Sequence, residues 1–164
     1  YAQPYSRLQR DVLFSRGWRQ FVRGLRFFAF QAGGTAPFLD VHTHTLNLTE
    51  FNPEGWDKTY CRLAELMTLN PAIKGWQGVG WFFDPTLIRV SPRLDYLRKA
   101  TQHGGAILFK RALTDSAGGG ALTTSTGRRK LCSAGEYQPA AYMLAWSRSD
   151  VLRWHRTNRD SISV

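Results

Sequence analysis

Asp40, His42 and His44 stand at alternate positions of the stretch PFLDVHTHTL, residues 37 to 46. On a strand, side chains repeat every two residues, so Phe38, Asp40, His42, His44, Leu46 and Leu48 share one face. Two imidazoles and a carboxylate brought together there can accept a proton near neutral pH, contact a ligand or hold a divalent ion. On a half-buried strand, hydrogen-bonded to their neighbours, the same groups do no chemistry. We read Asp40, His42 and His44 as the candidate catalytic residues, with no metal assigned to them. The other two histidines, His103 at a helix end and His155 near the C-terminus, add nothing to this set.

A second chemistry is offered by SAGGGALTTSTGRRK, residues 116 to 130. Flexible glycines let backbone amides turn toward an anion, and a following helix presents unpaired N–H groups at its start. Gly118, Gly119, Gly120, Thr124, Arg128, Arg129 and Lys130 are therefore the candidate cofactor-binding residues. Cations in a first helical turn oppose the helix dipole, and a bound anion would relieve that. The spacing is not that of a nucleotide-binding P-loop. A mobile surface loop followed by a solvated basic helix face is the plainer reading.

The whole chain shares this bias. Its 164 residues carry 22 Lys and Arg against 12 Asp and Glu, a formal charge of +10. Such an excess favours an anionic partner: a phosphate-bearing small molecule such as coenzyme A, a nucleic acid, or an acidic lipid surface. RGWRQFVRGLRFFAF, residues 16 to 30, concentrates it on one helix. There Trp18, Phe21, Val22, Leu25 and Phe28 fall at helical spacing among Arg16, Arg19, Arg23 and Arg26. The segment can meet a membrane surface or nucleic acid, but the expectation is that its apolar side packs on the domain while the arginines reach for water.

The elements that must position these groups follow from periodicity. Helices are expected over 5–15 and 17–30 and a strand over 38–48. A helix with Asn52 as N-cap and Pro53 at its first position places Trp56, Tyr60, Leu63, Ala64 and Met67 on one face. IKGWQGVGWFFD (73–84) and AILFKRAL (106–113) read as strands. SPRLDYLRKA (91–100) reads as a helix with a Ser cap, stopped by Gly104 and Gly105. Residues 114–125 form a flexible loop, STGRRKLCSAG a helix ending at Gly135, and AAYMLAWSR (140–148) a strand. Ser149 caps a last short helix through Trp154. The expected fold is a single α/β or α+β domain over 1–164, one sheet covered by helices, with a helical N-terminus.

Cys61 and Cys132 lie far apart in predicted helices, which points to small buried side chains rather than a disulfide framework. Apolar stretches are short of the ~20 residues needed to cross a bilayer, and a cytoplasmic protein is expected.

Three short resemblances add expectations. LDVHTHT is similar to the Asp-X-His-X-His start of the amidohydrolase and PHP-type metal hydrolases, which implies a divalent metal and further ligands on later strands of a large barrel. The same histidines resemble the His-hydrophobic-His motif of replication and transposition endonucleases, which would make Tyr60 or Tyr96 a nucleophile; here Thr43 replaces the hydrophobic residue. GRRKLCSAGEYQPAAYMLAW resembles the closing helix, glycine turn and strand of the GNAT acyltransferases, with Cys132 where many members have a tyrosine general acid. QAGGTA, residues 31 to 36, matches the family's coenzyme A loop but precedes a strand. That resemblance implies an acyl-coenzyme A-dependent transferase. Joined to the reading of the residues, it gives the leading expectation of a small-molecule transferase with His42 or His44 as proton acceptor and residues 118–130 near the ligand phosphates. The other expectation is a non-catalytic nucleic-acid or anionic-surface binding protein using the Arg helix and the basic helix after the glycine loop.

Overall fold

Trp76 faces Trp146 across two neighbouring strands, and the next residues, Gln77 and Ala145, face each other. Because side chains alternate, the tryptophans look to one side of the sheet and Gln77 and Ala145 to the other. The computed structural model describes residues 7–14, 16–42, 51–111 and 120–162, with side chains for all of these except 7, 8 and 159–162. In chain order its elements are α1 (Arg7–Phe14), α2 (Trp18–Arg26) running into a π turn (Phe27–Gln31), β1 (Phe38–Val41), α3 (Pro53–Leu69) and β2 (Gly75–Gly80). There follow α4 (Leu87–Val90), α5 (Tyr96–His103), β3 (Ile107–Lys110), α6 (Thr126–Ser133), β4 (Tyr142–Ser147) and α7 (Arg148–Ile162).

The strands lie in the order β1-β2-β4-β3. β1 runs parallel to β2, and β4 is antiparallel to both of its neighbours. Helices cover both faces, as a mixed α/β fold requires to bury its central strands. On one side Trp76, Leu108, Leu144 and Trp146 pack with Tyr60 and Met67 of α3, Leu97 of α5 and Val151 of α7. On the other, Phe109, Met143 and Ala145 pack with Val12 of α1 and with Phe27 and Phe28 of the π turn. Tyr60 anchors the first layer: its ring stacks on Trp76 at 5.9 Å and meets Trp146 and Trp154 edge-on, each at 5.6 Å. Such pairs contribute about 1 kcal/mol each beyond their buried area.

α3 follows its local signals. The Asn52 side chain accepts a hydrogen bond from the Gly55 N–H at 2.8 Å, Pro53 opens the helix, and Trp56, Tyr60, Leu63, Ala64 and Met67 are its buried residues. Elsewhere tertiary contacts redraw the boundaries. The described part of the 38–48 segment is a strand only to Val41; the strand expected over 73–84 ends at Gly80 and tightens into a 3-10 turn, Trp81–Phe83. Ser91 makes no capping bond, and SPRLDYLRKA divides into a 3-10 turn, Pro92–Leu94, before α5. Within the expected loop 114–125, residues 120–123 form a helical turn. The last helix continues past Trp154 to Ile162, and its cap is Ser147, whose hydroxyl accepts from the Asp150 N–H at 3.3 Å, rather than Ser149. Both cysteines are free and half-buried rather than buried.

Candidate functional site

The Asp40 and His42 side chains are both exposed, at the end of an edge strand. The Asp40 carboxylate accepts from Gln77 Nε2 at 2.6 Å, and the Gln77 carbonyl accepts from Gln9 Nε2 at 3.0 Å. Gln9 and Gln77 are buried, so Asp40 is the outer end of a polar string that ties α1 through β2 to β1. His44 lies outside the described residues. Among those described, no three His, Cys, Asp or Glu gather where they could hold a metal ion. Tyr60 is buried and Tyr96 half-buried, and their hydroxyls donate to the carbonyls of Leu97 (3.4 Å) and Phe51 (2.9 Å) respectively. Burial raises both phenol pKa values above the ordinary range, with the neighbouring acids Asp57 and Glu54 adding to it, so neither is primed as a nucleophile.

Of the proposed phosphate loop, Gly118 and Gly119 lie outside the described residues. Gly120 and Thr124 are held close together, the Thr124 hydroxyl donating to the Gly120 carbonyl at 2.8 Å. Ser125 caps α6 by accepting from the Arg128 N–H. Arg129 and Lys130 are exposed, whereas Arg128 is only 3% exposed. Its guanidinium donates to the Ala121 carbonyl (2.7 Å), Ser91 Oγ (2.9 Å) and Thr124 Oγ1 (2.7 Å), and lies 4.5 Å from the Trp81 ring centroid. This arginine binds its own loop.

Beside it, Tyr137 is buried with its hydroxyl unpartnered among the described residues. Its pKa is pushed up to about 12, first by burial and then by the Asp84 charge, against a lowering by Arg128. A phenol raised in the folded state contributes stability that is intact below pH 10 and is lost as pH rises through its folded pKa. Denaturant titrations at several pH values should therefore show Tyr137→Phe to be neutral or slightly stabilising at pH 7. They should also show it losing about 2 kcal/mol less than the parent between pH 10 and 12.

Only part of the expected apolar face of the basic segment packs inward: Phe28 is buried and Phe21 half-buried, whereas Trp18, Val22 and Leu25 are exposed. Gly24, Phe27 and Phe28 face the domain, together with Gln20, whose amide bridges the Val12 and Lys110 carbonyls. Gly24 sets this orientation, because a Cβ there would sit 2.5 Å from Leu13 Cδ2 and 3.7 Å from the Phe109 ring. The stripe of Trp18, Val22 and Leu25 consequently points outward, with Phe14 before it and Phe30 after it. Phe14, Trp18 and Phe30 are 72%, 74% and 84% exposed. Phe21, half-buried, joins Phe14 and Trp18 at ring distances of 5.7 and 5.4 Å, and a groove of about 380 Å³ opens among them. Arg19, Arg23 and Arg26 flank the stripe and are exposed, Arg23 lying over the Phe109 ring; Arg16 donates to the Arg111 carbonyl.

A larger cleft, about 630 Å³, opens on the opposite side of the sheet between the first turns of α3, the end of α5 and the outer face of α7. Asp57, Tyr96, Lys99, His103, Arg153 and Trp154 line it. The Asp57 carboxyl is raised by partial burial and by Glu54.

No known family model, curated protein or solved structure matches this chain. Its function has to be argued from these surfaces. The structure brings Asp40 and His42 to one strand end and ties Arg128 of α6 to Thr124 of the preceding loop, but Asp40 is anchored to Gln77 and the Arg128–Thr124 pair is closed on itself. The cleft carries the residues that sequence reading passed over. His103 was visible only as a helix-end residue, and nothing in the spacing of Lys99 and Arg153 announced that they would line one cleft.

Proposed function

We propose that this protein is a non-catalytic binding module that attaches to anionic membrane surfaces through α1, α2 and the π turn. The observation that carries this reading is an outward apolar stripe, Phe14, Trp18, Val22, Leu25 and Phe30, flanked by exposed arginines. Water gains nothing from such a stripe, whereas the boundary between headgroups and acyl chains accepts aromatic and aliphatic side chains while the guanidinium groups meet lipid phosphates. Nucleic acid is the second anionic partner to weigh. Trp18 and Phe14 suit base stacking, but Val22 and Leu25 have no use there, which favours lipid. A transferase would need the histidine strand and the basic helix to share a cleft with free cations, and Arg128 spends its donors on Ala121, Ser91 and Thr124. Among the described residues no helix is long and apolar enough to cross a membrane.

Cosedimentation tests the reading. The chain is expected to bind vesicles of equal phosphatidylcholine and phosphatidylserine, to ignore pure phosphatidylcholine, and to release as salt rises. Replacing Arg19 and Arg26 together by Gln should weaken binding roughly 30-fold, at about 1 kcal/mol for each cation near the surface. Trp18→Ser with Leu25→Ser should weaken it by at least about tenfold through lost apolar burial. Failure to bind the anionic vesicles, or equal binding to both vesicle types, would remove the proposal. Tight oligonucleotide binding with vesicles ignored would assign the face to nucleic acid.

A further inference from the structure

We infer that the cleft between α3, α5 and α7 is a binding site for a ring-bearing phosphomonoester of about the size of a nucleoside monophosphate. Its volume of about 630 Å³ falls within the range of small-molecule sites and far exceeds what an inorganic anion would fill. Three basic side chains converge on it from two helices, Lys99 and His103 from α5 and Arg153 from α7, against one carboxylate, Asp57 of α3. Lys99, the imidazole and Arg153, whose charge is shared with Asp150, suit an anionic phosphate head group. Arg153 keeps one donor on the Asp150 carboxylate yet leaves its side chain 66% exposed, so it is oriented and still reachable.

The remaining walls define the rest of the ligand. The Trp154 indole is held edge-on by Tyr60 and Trp146 inside the fold, and it reaches the cleft alongside Tyr96. Both side chains are half-buried, fixed and aromatic, which suits a flat ring. Tyr96 is locked by its bond to the Phe51 carbonyl, so its ring wall is preformed. Asp57, set apart on α3, can accept hydrogen bonds from hydroxyl groups such as those of a sugar. The site lies on the opposite face of the sheet from the hairpin and does not depend on the membrane reading.

Calorimetric titration of the full chain with AMP, phenyl phosphate, adenosine and inorganic phosphate tests it. AMP and phenyl phosphate should saturate, with adenosine and phosphate each weaker by about tenfold or more, since neither carries both parts. Lys99→Glu should weaken AMP by more than about tenfold, and His103→Ala should weaken it in the same direction. Both residues are exposed, so the thermal midpoint without ligand should not change. The inference fails if neither phosphomonoester saturates, if adenosine binds as well as AMP, or if Lys99→Glu leaves the AMP affinity intact. Vesicle binding by Lys99→Glu should remain at the parent level, which keeps the two sites experimentally separate.

Discussion

Gly75→Ala is expected to lower the midpoint of thermal unfolding by roughly 10 °C, corresponding to about 3 kcal/mol for a chain of this size. Gly75 opens β2, which lies between β1 and β4, and it pairs with Phe38 on one side and Ser147 on the other. An added Cβ would run into the Trp146 carbonyl oxygen, with the Phe38 ring 2.8 Å away and Ser147 Cα 3.1 Å away. Two of these three obstacles are backbone, so a rotamer change cannot clear them. Relief requires β2 and β4 to part, which would disturb the pairing of Trp76 with Trp146 that supports the aromatic layer above α3. Gly33→Ala is the control: its positive φ of 67° gives strain, but nothing stands within 4 Å, so the cost should stay near 1 kcal/mol. Chemical denaturation of both variants measures the difference. A loss at Gly75 no larger than at Gly33 would show that the sheet yields easily at this point.

What could be read before folding and what could not divides along the range of the interaction. α3 was legible because its start is decided within four residues, Asn52 to Gly55, and its buried face within its own period. The α/β class was legible because alternating apolar runs leave few other ways to cover a sheet. The side on which α2 packs was not. Periodicity says which residues share a face; the choice between faces came from Gly24, where α1 and the Phe109 ring approach, and from the π turn that brings Phe27 and Phe28 under the sheet. The length of α7 escaped for a related reason, since its second half is polar and carries no apolar period. Ser91 showed another limit: Ser before Pro is a fair capping signal, but its hydroxyl serves an arginine 37 positions away. The cleft was least legible of all. Asp57, Lys99 and Arg153 belong to three helices, and only the packing of α3 and α5 beside α7 makes neighbours of them.

Arg128→Met should cost about 3 to 4 kcal/mol, the range for removing one member of a buried, hydrogen-bonded charged group. The guanidinium reaches three acceptors in different directions and stacks on Trp81, so it fastens the 120–125 segment to Ser91 and to the 3-10 turn after β2. Burial lowers its pKa from the ordinary arginine value, with Tyr137 opposing and Arg93 adding to the shift, and the group stays charged throughout the physiological range. Methionine fills some of the volume but leaves the Ala121 carbonyl and the Ser91 hydroxyl without this donor. Lysine keeps the charge, yet a single ammonium cannot span three acceptors or lie flat on an indole, so Arg128→Lys should recover less than half of the loss. Amide hydrogen exchange separates this from a general weakening. In Arg128→Met the amides of residues 120–126 should exchange far faster than those of β4, because the deleted bonds hold the loop rather than the sheet. Uniform acceleration across β2 and β4 would instead mean that the arginine supports the whole fold. A loss below about 1 kcal/mol would mean that its bonds form no better inside than in water. The same reasoning carries to ligands: a guanidinium whose removal loosens the loop is spent on structure, and any phosphate met by this helix would be met by Arg129 and Lys130.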